Sequence, residues 1–243
     1  MSRGEGTEMS ESSSSNPTET ERDPERVRAM FGRVARRYDL ANHLLSGGLD
    51  FSWRRRASDI VREWRPGQVL DLATGSGDLG LAIARKVPEA EITGADFCAE
   101  MLEVARSKGL TNTVVADALQ LPFPAGSFDV VTVAFGLRNM ADWSAALCEM
   151  RRVLRAGGHL LVLDFSLPKG FLRPLYRFYL HRFLPRIAGV VTGERDAYQY
   201  LGASIEKFPS GNAMCDLLER SGLRTATAQP LSGGIVTIYC ARR

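Results

Sequence analysis

Cysteine and histidine are scarce in this chain, and what there is lies scattered. The four cysteines (Cys98, Cys148, Cys215, Cys240) contain no C-x-x-C pair, and the three histidines (His43, His159, His181) are equally far apart. That spacing argues against a zinc site or a disulfide framework and suits free thiols in a reducing cytoplasm. Long apolar runs are missing too. No uninterrupted stretch would span a bilayer, and no early apolar segment reads as a secretory signal. Charge of one sign is not in excess, since a formal net charge of +3 is too small to argue for nucleic acid. The expectation is a cytoplasmic protein with no metal and no nucleic-acid partner.

What is there is one core's worth of apolar residues. With 243 residues, 44% of them hydrophobic, the chain suits one domain with additions. Residues 1–23 are rich in Ser, Glu, Thr and Gly and cannot repay their ordering entropy, so they are expected as a disordered tail. Pro24 suits a helix start, with Val27, Met30, Phe31 and Val34 at helical spacing. A loop through Asn42 and Ser46–Gly48 leads to a second helix, Trp53 to Trp64, stopped by Pro66-Gly67.

From Gln68 strands and helices alternate. Strands are predicted at 68–72, 91–95, 113–116, 128–134 and 158–164, with helices at 78–86, 98–107 and 143–154 among them. Near-continuous Val, Leu and Ile in strands between helices means a parallel sheet covered on both faces. Near the C-terminus a helix at 210–220 precedes LRTATAQ and GGIVTIYCA. The link between those two runs is too short for a crossover helix, so they should pair antiparallel. Inserted helices are predicted at 171–186 and 197–208.

The stretch VLDLATGSGDLG (69–80) is a strand ending in an acid, a glycine turn and a helix start. Glycine admits positive φ and lets backbone approach a ligand closely, so a nucleotide-like cofactor is expected at the carboxyl ends of the strands. Gly75, Gly77 and Gly80 fit the G-x-G-x-x-G of dinucleotide-binding oxidoreductases, with Asp96 at the distance of a ribose-binding acid. The same residues resemble the D-x-x-x-G-x-G of class I S-adenosylmethionine-dependent methyltransferases. Two features favour the second reading. Asp71 sets an anion where a pyrophosphate would lie, whereas the methionine end of S-adenosylmethionine carries an ammonium. A further acid, Asp117, closes the TVVAD segment beside the apolar Leu119–Phe123, which suits an adenine amino group and ring.

Several segments together resemble the quinone-biosynthesis C-methyltransferases: YDLANHLLSGGLDFSW (38–53), LDLATGSGDL (70–79), ALQLPFPAGSFD (118–129), FGLRNM (135–140), RRVLRAGGHLLVLDFS (151–166) and YQYLGASIEKFP (198–209). Departures are Ala41 for a Met, Asp50 for a His, Ala156 for a Pro, and Ala134 for a frequent Ser. The resemblance implies a class I methyltransferase fold over 67–243, α/β and Rossmann-like. Its sheet would be seven-stranded and mostly parallel, ending in an antiparallel hairpin. It would carry inserted helices about 171–208 and a helical substrate-site cap at 24–66.

The implied activity is methyl transfer from S-adenosylmethionine to a ring carbon of demethylmenaquinol. A ubiquinol precursor, or another small molecule on the same fold, is the alternative. The cofactor would be held by Asp71, Gly75, Ser76, Gly77, Asp96, Asp117, Ala118 and Ala134. The ring carbon is a good nucleophile once the neighbouring hydroxyl loses its proton. Arg138 would lower that hydroxyl's pKa, and Asn139 and Tyr38 would orient it or relay its proton. The bland alternatives are a surface ion pair at a strand end for Arg138 and a partly buried aromatic with a satisfied hydroxyl for Tyr38. FLRPLYRFYLHRFLPRIAGV (171–190) interleaves Arg173, Arg177, His181, Arg182 and Arg186 with apolar residues. It suits a helix on an anionic membrane surface that supplies a polyprenylated quinol, or a lid packed on the domain. Arg54-Arg55-Arg56 reads as part of that surface or as an ordinary solvated face. A monomer and a homo-oligomer both stay open.

Overall fold

The computed structural model describes residues 46–183 and 195–243, the side chains of 183 and 195–200 excepted. The expected tail, the helix from Pro24, Tyr38 and Arg186 lie outside the described residues.

In chain order the elements are α1 (Leu49–Glu63), β1 (Gln68–Leu72), α2 (Asp78–Lys86), β2 (Glu91–Asp96), α3 (Ala99–Ser107), β3 (Thr113–Val115), β4 (Phe128–Ala134), α4 (Trp143–Val153), β5 (Leu154–Phe165), α5 (Leu172–Phe178), α6 (Arg195–Lys207), α7 (Asn212–Arg220), β6 (Arg224–Leu231) and β7 (Val236–Arg242). The seven strands form one sheet in the order β3-β2-β1-β4-β5-β7-β6. β7 runs antiparallel to β5 and β6, and the other pairings are parallel. This is the class I S-adenosylmethionine-dependent methyltransferase fold, hairpin included.

The two-residue period of the strands sorts their side chains into two cores. Leu70, Leu72, Val131, Val133, Leu160 and Val162 face α4 and α7, meeting Leu147, Met150, Met214 and Leu218. Val69, Val130, Leu161 and Leu163 face α1 and α2, meeting Trp53, Val61, Leu79 and Ile83. Each fully buried Leu, Ile or Val contributes roughly 1.5–3 kcal/mol relative to exposure.

Three boundaries differ from expectation by several residues, the first being α1, which begins at Leu49 and not at Trp53. β5 begins at Leu154, not 158, because a register shift between Phe128 and Val130 lets the Arg155–Gly158 segment continue the strand. The helix expected over 171–186 is α-helical only to Phe178, where the hydrogen bonding widens to a π-turn at Tyr179–Phe183. Its basic face is also partly neutralised: Arg177 lies 2.6 Å and His181 3.1 Å from Glu206 of α6.

Candidate active site

The order β2-β1-β4 reverses the direction of winding at β1, and the carboxyl ends there form the crevice where ligands of such sheets bind. A cleft opens at that point, lined by Arg54, Asp71, Ala73, Thr74, Gly75, Ser76, Asp78, Leu79 and Ala134. Its floor is the turn that leaves β1. Ala73 (φ 51°) and Gly75 (φ 56°) are left-handed, and Gly77 (φ 84°) starts α2.

Asp71 is buried and pins this turn. Its carboxylate accepts from the Thr132 hydroxyl at 2.7 Å, the Thr74 hydroxyl at 2.6 Å and the Gly80 amide at 3.0 Å. Burial pushes its pKa up, and the hydroxyl donors oppose that rise. The glycines serve the fold as well as any ligand. A Cβ at Gly77 would meet Ala105 at 3.1 Å and Leu110 at 3.2 Å, so the space beside it belongs to α3 and the loop after it. Gly75 and the buried Ser76 line the cleft; Gly77 does not.

Asp96 closes β2 with its carboxylate 6% exposed. One oxygen accepts from the Gly75 amide at 2.8 Å and the other from the Cys98 amide at 2.9 Å. The Phe97 amide also favours its charged form. Desolvation pushes this pKa up to about 6, against the opposing amide hydrogen bonds. Asp117 lies past the end of β3, exposed, and accepts from the Leu119 amide at 2.9 Å. Ala118, Leu119 and Phe123 beside it pack against the buried core.

On the other side of the cleft Ala134 ends β4, and Phe135 follows at φ 58°. Arg138 and Asn139 fill the 3-10 turn Leu137–Asn139. The Arg138 side chain, 5% exposed, pairs at 2.8 Å with Asp164, which ends buried at the edge of β5. It also donates to the Phe135 carbonyl and lies 5.3 Å above the Phe165 ring. Burial raises the Asp164 pKa, and the Arg138 charge holds it down. The pairing is therefore buried, not the surface contact weighed from sequence. Among the described residues, Arg138 Nε and Asn139 Oδ1 are buried and have no hydrogen-bond partner.

A family model described as "ubiE/COQ5 methyltransferase family" matches residues 19–243. The chain belongs to that family. Among the relatives of this ubiE/COQ5 methyltransferase, a demethylmenaquinone methyltransferase of Thermus thermophilus is 46% identical over 220 residues, covering 88% of this chain and 100% of that protein. A ubiquinone/menaquinone biosynthesis C-methyltransferase of a Geobacter species is 42% identical, covering 88% of this chain and 95% of that protein. In structure, it is similar to a SAM-dependent methyltransferase of Thermotoga maritima, with TM-score 0.64 and 18% identity over 88% of this chain and 98% of that one.

Among the residues missed from sequence are Arg54, which lines this ubiE/COQ5 methyltransferase's cleft, and Asp164 and Thr132, buried partners of Arg138 and Asp71. Asp164 carried a signal: like Asp71 and Asp96 it is an acid at the carboxyl end of a parallel strand. Thr132 carried none, since a threonine inside a β-branched strand reads as ordinary. Arg54 was hidden in a triple-arginine run. Arg55 and Arg56 are exposed as a solvated face would be, but the Arg54 side chain is 11% exposed and lines the cleft.

Proposed function

We propose that this protein transfers a methyl group from S-adenosylmethionine to a ring carbon of demethylmenaquinol, giving menaquinol. The names of its relatives support the quinol. The observation that carries the reading is the Arg138–Asn139 turn, which hangs from Phe135 directly after the cleft wall at Ala134 and keeps two buried polar atoms unpartnered. The cleft suits the cofactor. It combines carboxylates with a guanidinium at one end, and Asp96 behind Gly75 would accept from the ribose. Asp117 and Ala118 would take the adenine end. S-adenosylmethionine, when bound, supplies the methyl group on a sulfonium.

The protein's work is to hold the ring carbon in line and make it nucleophilic. Arg138 Nε would face the hydroxyl beside the reacting carbon, lower its pKa and carry the phenolate charge that develops. Asn139 Oδ1 would accept from that hydroxyl and fix its orientation. Tyr38 would bond the same oxygen. The purified protein, given S-adenosylmethionine and chemically reduced demethylmenaquinol, is expected to yield methylated quinol and S-adenosylhomocysteine in equal amounts. No product from the reduced quinol would overturn the reading. A ubiquinol precursor run in parallel tests the second substrate that the Geobacter relative's name favours.

The substrate's tail calls for a route from lipid. Phe171, Leu175 and Phe178 stand 85%, 65% and 53% exposed on and beside α5, next to Arg173 and Lys169. No helix among the described residues is long and apolar enough to cross a membrane. We read this face as a peripheral lipid contact. Sedimentation with anionic vesicles is expected to be lost in a Phe171→Ser, Phe178→Ser variant, and unchanged sedimentation would refute the contact.

A further inference from the structure

Arg54 has no part in the chemistry above, yet it is the most constrained cation of the cleft. Helix α1 carries it and is fixed before any ligand arrives. Trp53 is buried against Phe135 and Phe165, at ring-centroid distances of 6.1 and 6.2 Å, and donates through Nε1 to the Ser232 hydroxyl at 2.8 Å. One turn earlier Asp50, 2% exposed, accepts from the Ser46 hydroxyl at 2.8 Å and pairs with Arg54 four residues on. The guanidinium carbon sits 5.6 Å from the centre of the Phe135 ring, and its second amino group lies 3.7 Å from Asp78. Asp78 is itself 2.7 Å from Lys108. The group is aimed, and most of its fork of N–H donors is still unspent by these contacts.

The charges around it say what would bind. Asp50 and Arg54 cancel, as do Asp78 and Lys108, and Asp71 adds one further acid in the cleft wall. A phosphate or pyrophosphate would meet a surplus of negative charge. A zwitterion would not: its ammonium meets Asp71 and Asp78, and its carboxylate meets the planar fork of Arg54. We propose that Arg54 binds the carboxylate of the amino-acid end of S-adenosylmethionine, and that Asp50 is the positioning residue that aims it. This inference rests on the cofactor reading above and deepens it.

Decarboxylated S-adenosylmethionine tests it, because it keeps the sulfonium, the ammonium and the nucleoside and lacks only the carboxylate. Calorimetry on the full chain should show wild type preferring S-adenosylmethionine over the decarboxylated form by roughly tenfold to a hundredfold, the range of a charged hydrogen bond. Arg54→Met keeps the apolar stem on Phe135 and should reduce that preference to within about twofold. Arg54→Lys should keep part of it, as a point charge without the fork. If Arg54→Met unfolds because Asp50 is left unpaired, the Asp50→Asn, Arg54→Met pair removes both charges and should show the same lost preference. An ion pair that merely fastened α1 would weaken both ligands alike. A preference that survives in the Met variants, or that wild type never shows, overturns the role of Arg54 alone. Binding of neither ligand to wild type overturns the cofactor reading with it.

Discussion

Arg138 pairs with a buried acid and is proposed for the chemistry, and a single perturbation separates the two roles. Arg138→Met removes the guanidinium and leaves an apolar stem over the Phe165 ring. Asp164, fully buried, then retains only the Phe165 amide at 2.8 Å and the long 3.4 Å amide contact from residue 138. Leaving such a charge without its partner costs about 3–5 kcal/mol. The penalty must depend on pH. Burial already raises the Asp164 pKa and the Arg138 charge opposes it, so losing that charge lifts the folded-state value further. A carboxyl whose folded pKa lies above its unfolded value contributes stability that is present below the unfolded pKa. That contribution is lost as pH climbs through the folded value. Urea unfolding should therefore show a loss of about 3 kcal/mol at pH 8 and a clearly smaller one at pH 5. An equal loss at both pH values, or one under about 0.5 kcal/mol at pH 8, would refute the buried pairing.

The same pair tests chemistry. Asp164→Asn in the Arg138→Met background puts a neutral amide of the same shape where the stranded carboxylate was, and should restore most of the stability. It cannot restore a positive charge beside the phenolate. Turnover should stay two or more orders of magnitude below wild type, the usual loss of one preorganised charge-stabilising donor, while S-adenosylmethionine affinity stays within a few-fold. Recovered turnover in the double variant would make Arg138 a structural residue.

In the proposed ribose contact Asp96 accepts as a carboxylate, and with its pKa pushed up to about 6 the cofactor should bind more weakly as pH falls from 7 to 5. Calorimetry that shows pH-independent affinity, or an Asp96→Ala variant that binds normally where a loss of about 1.5–3 kcal/mol is expected, would refute that contact. Gly136→Ala would set a Cβ 2.5 Å from the Ala73 Cβ, so its melting temperature should drop by several degrees and cofactor binding should weaken with it; an unchanged melt would refute the close approach. Thr132→Val removes a buried hydroxyl from Asp71 at nearly constant shape and should cost about 1–3 kcal/mol in denaturant unfolding.

The strands were legible because their patterning is redundant. Val69, Leu70, Val130, Val131, Leu160 and Leu161 fill both faces of the sheet, so each run reads as a buried parallel strand whichever neighbour it takes. The antiparallel hairpin was legible from chain length alone, since the few residues between Leu231 and Val236 cannot cross the sheet. The start of β5 was not, because Arg155–Gly158 has the composition of a turn, and only pairing with β4 keeps it extended. The π-turn at Tyr179 has no residue-type signature either. At the site, the glycine turn, Asp71 and Asp96 stood out in the sequence, while Asp164 carried the same strand-end signal and was passed over. Which arginine of Arg54-Arg55-Arg56 turns inward did not, because the docking of Trp53 decides it, and that contact joins residues about 180 positions apart at Ser232.

What ties the two halves of the site together is strain. Ala73 and Phe135 follow the adjacent strands β1 and β4, and both are left-handed without being glycine, at a cost of order 1–3 kcal/mol each. Each is held there by a neighbouring strand: the Thr74 amide donates to the Ala95 carbonyl at 3.1 Å, and the Phe135 amide to the Leu163 carbonyl at 2.7 Å. The turn at Ala73 directs the chain into the glycine loop that floors the cleft. The turn at Phe135 aims its carbonyl at Arg138 and Asn139 and sets its ring beneath Arg54. Gly136 lets the two bends touch. Groups proposed for the methyl donor and for the acceptor therefore hang from one over-determined junction, and their spacing is set by the sheet. Near-attack geometry between donor and acceptor is what most needs such rigidity, because misplacement by an ångström costs about two orders of magnitude in rate.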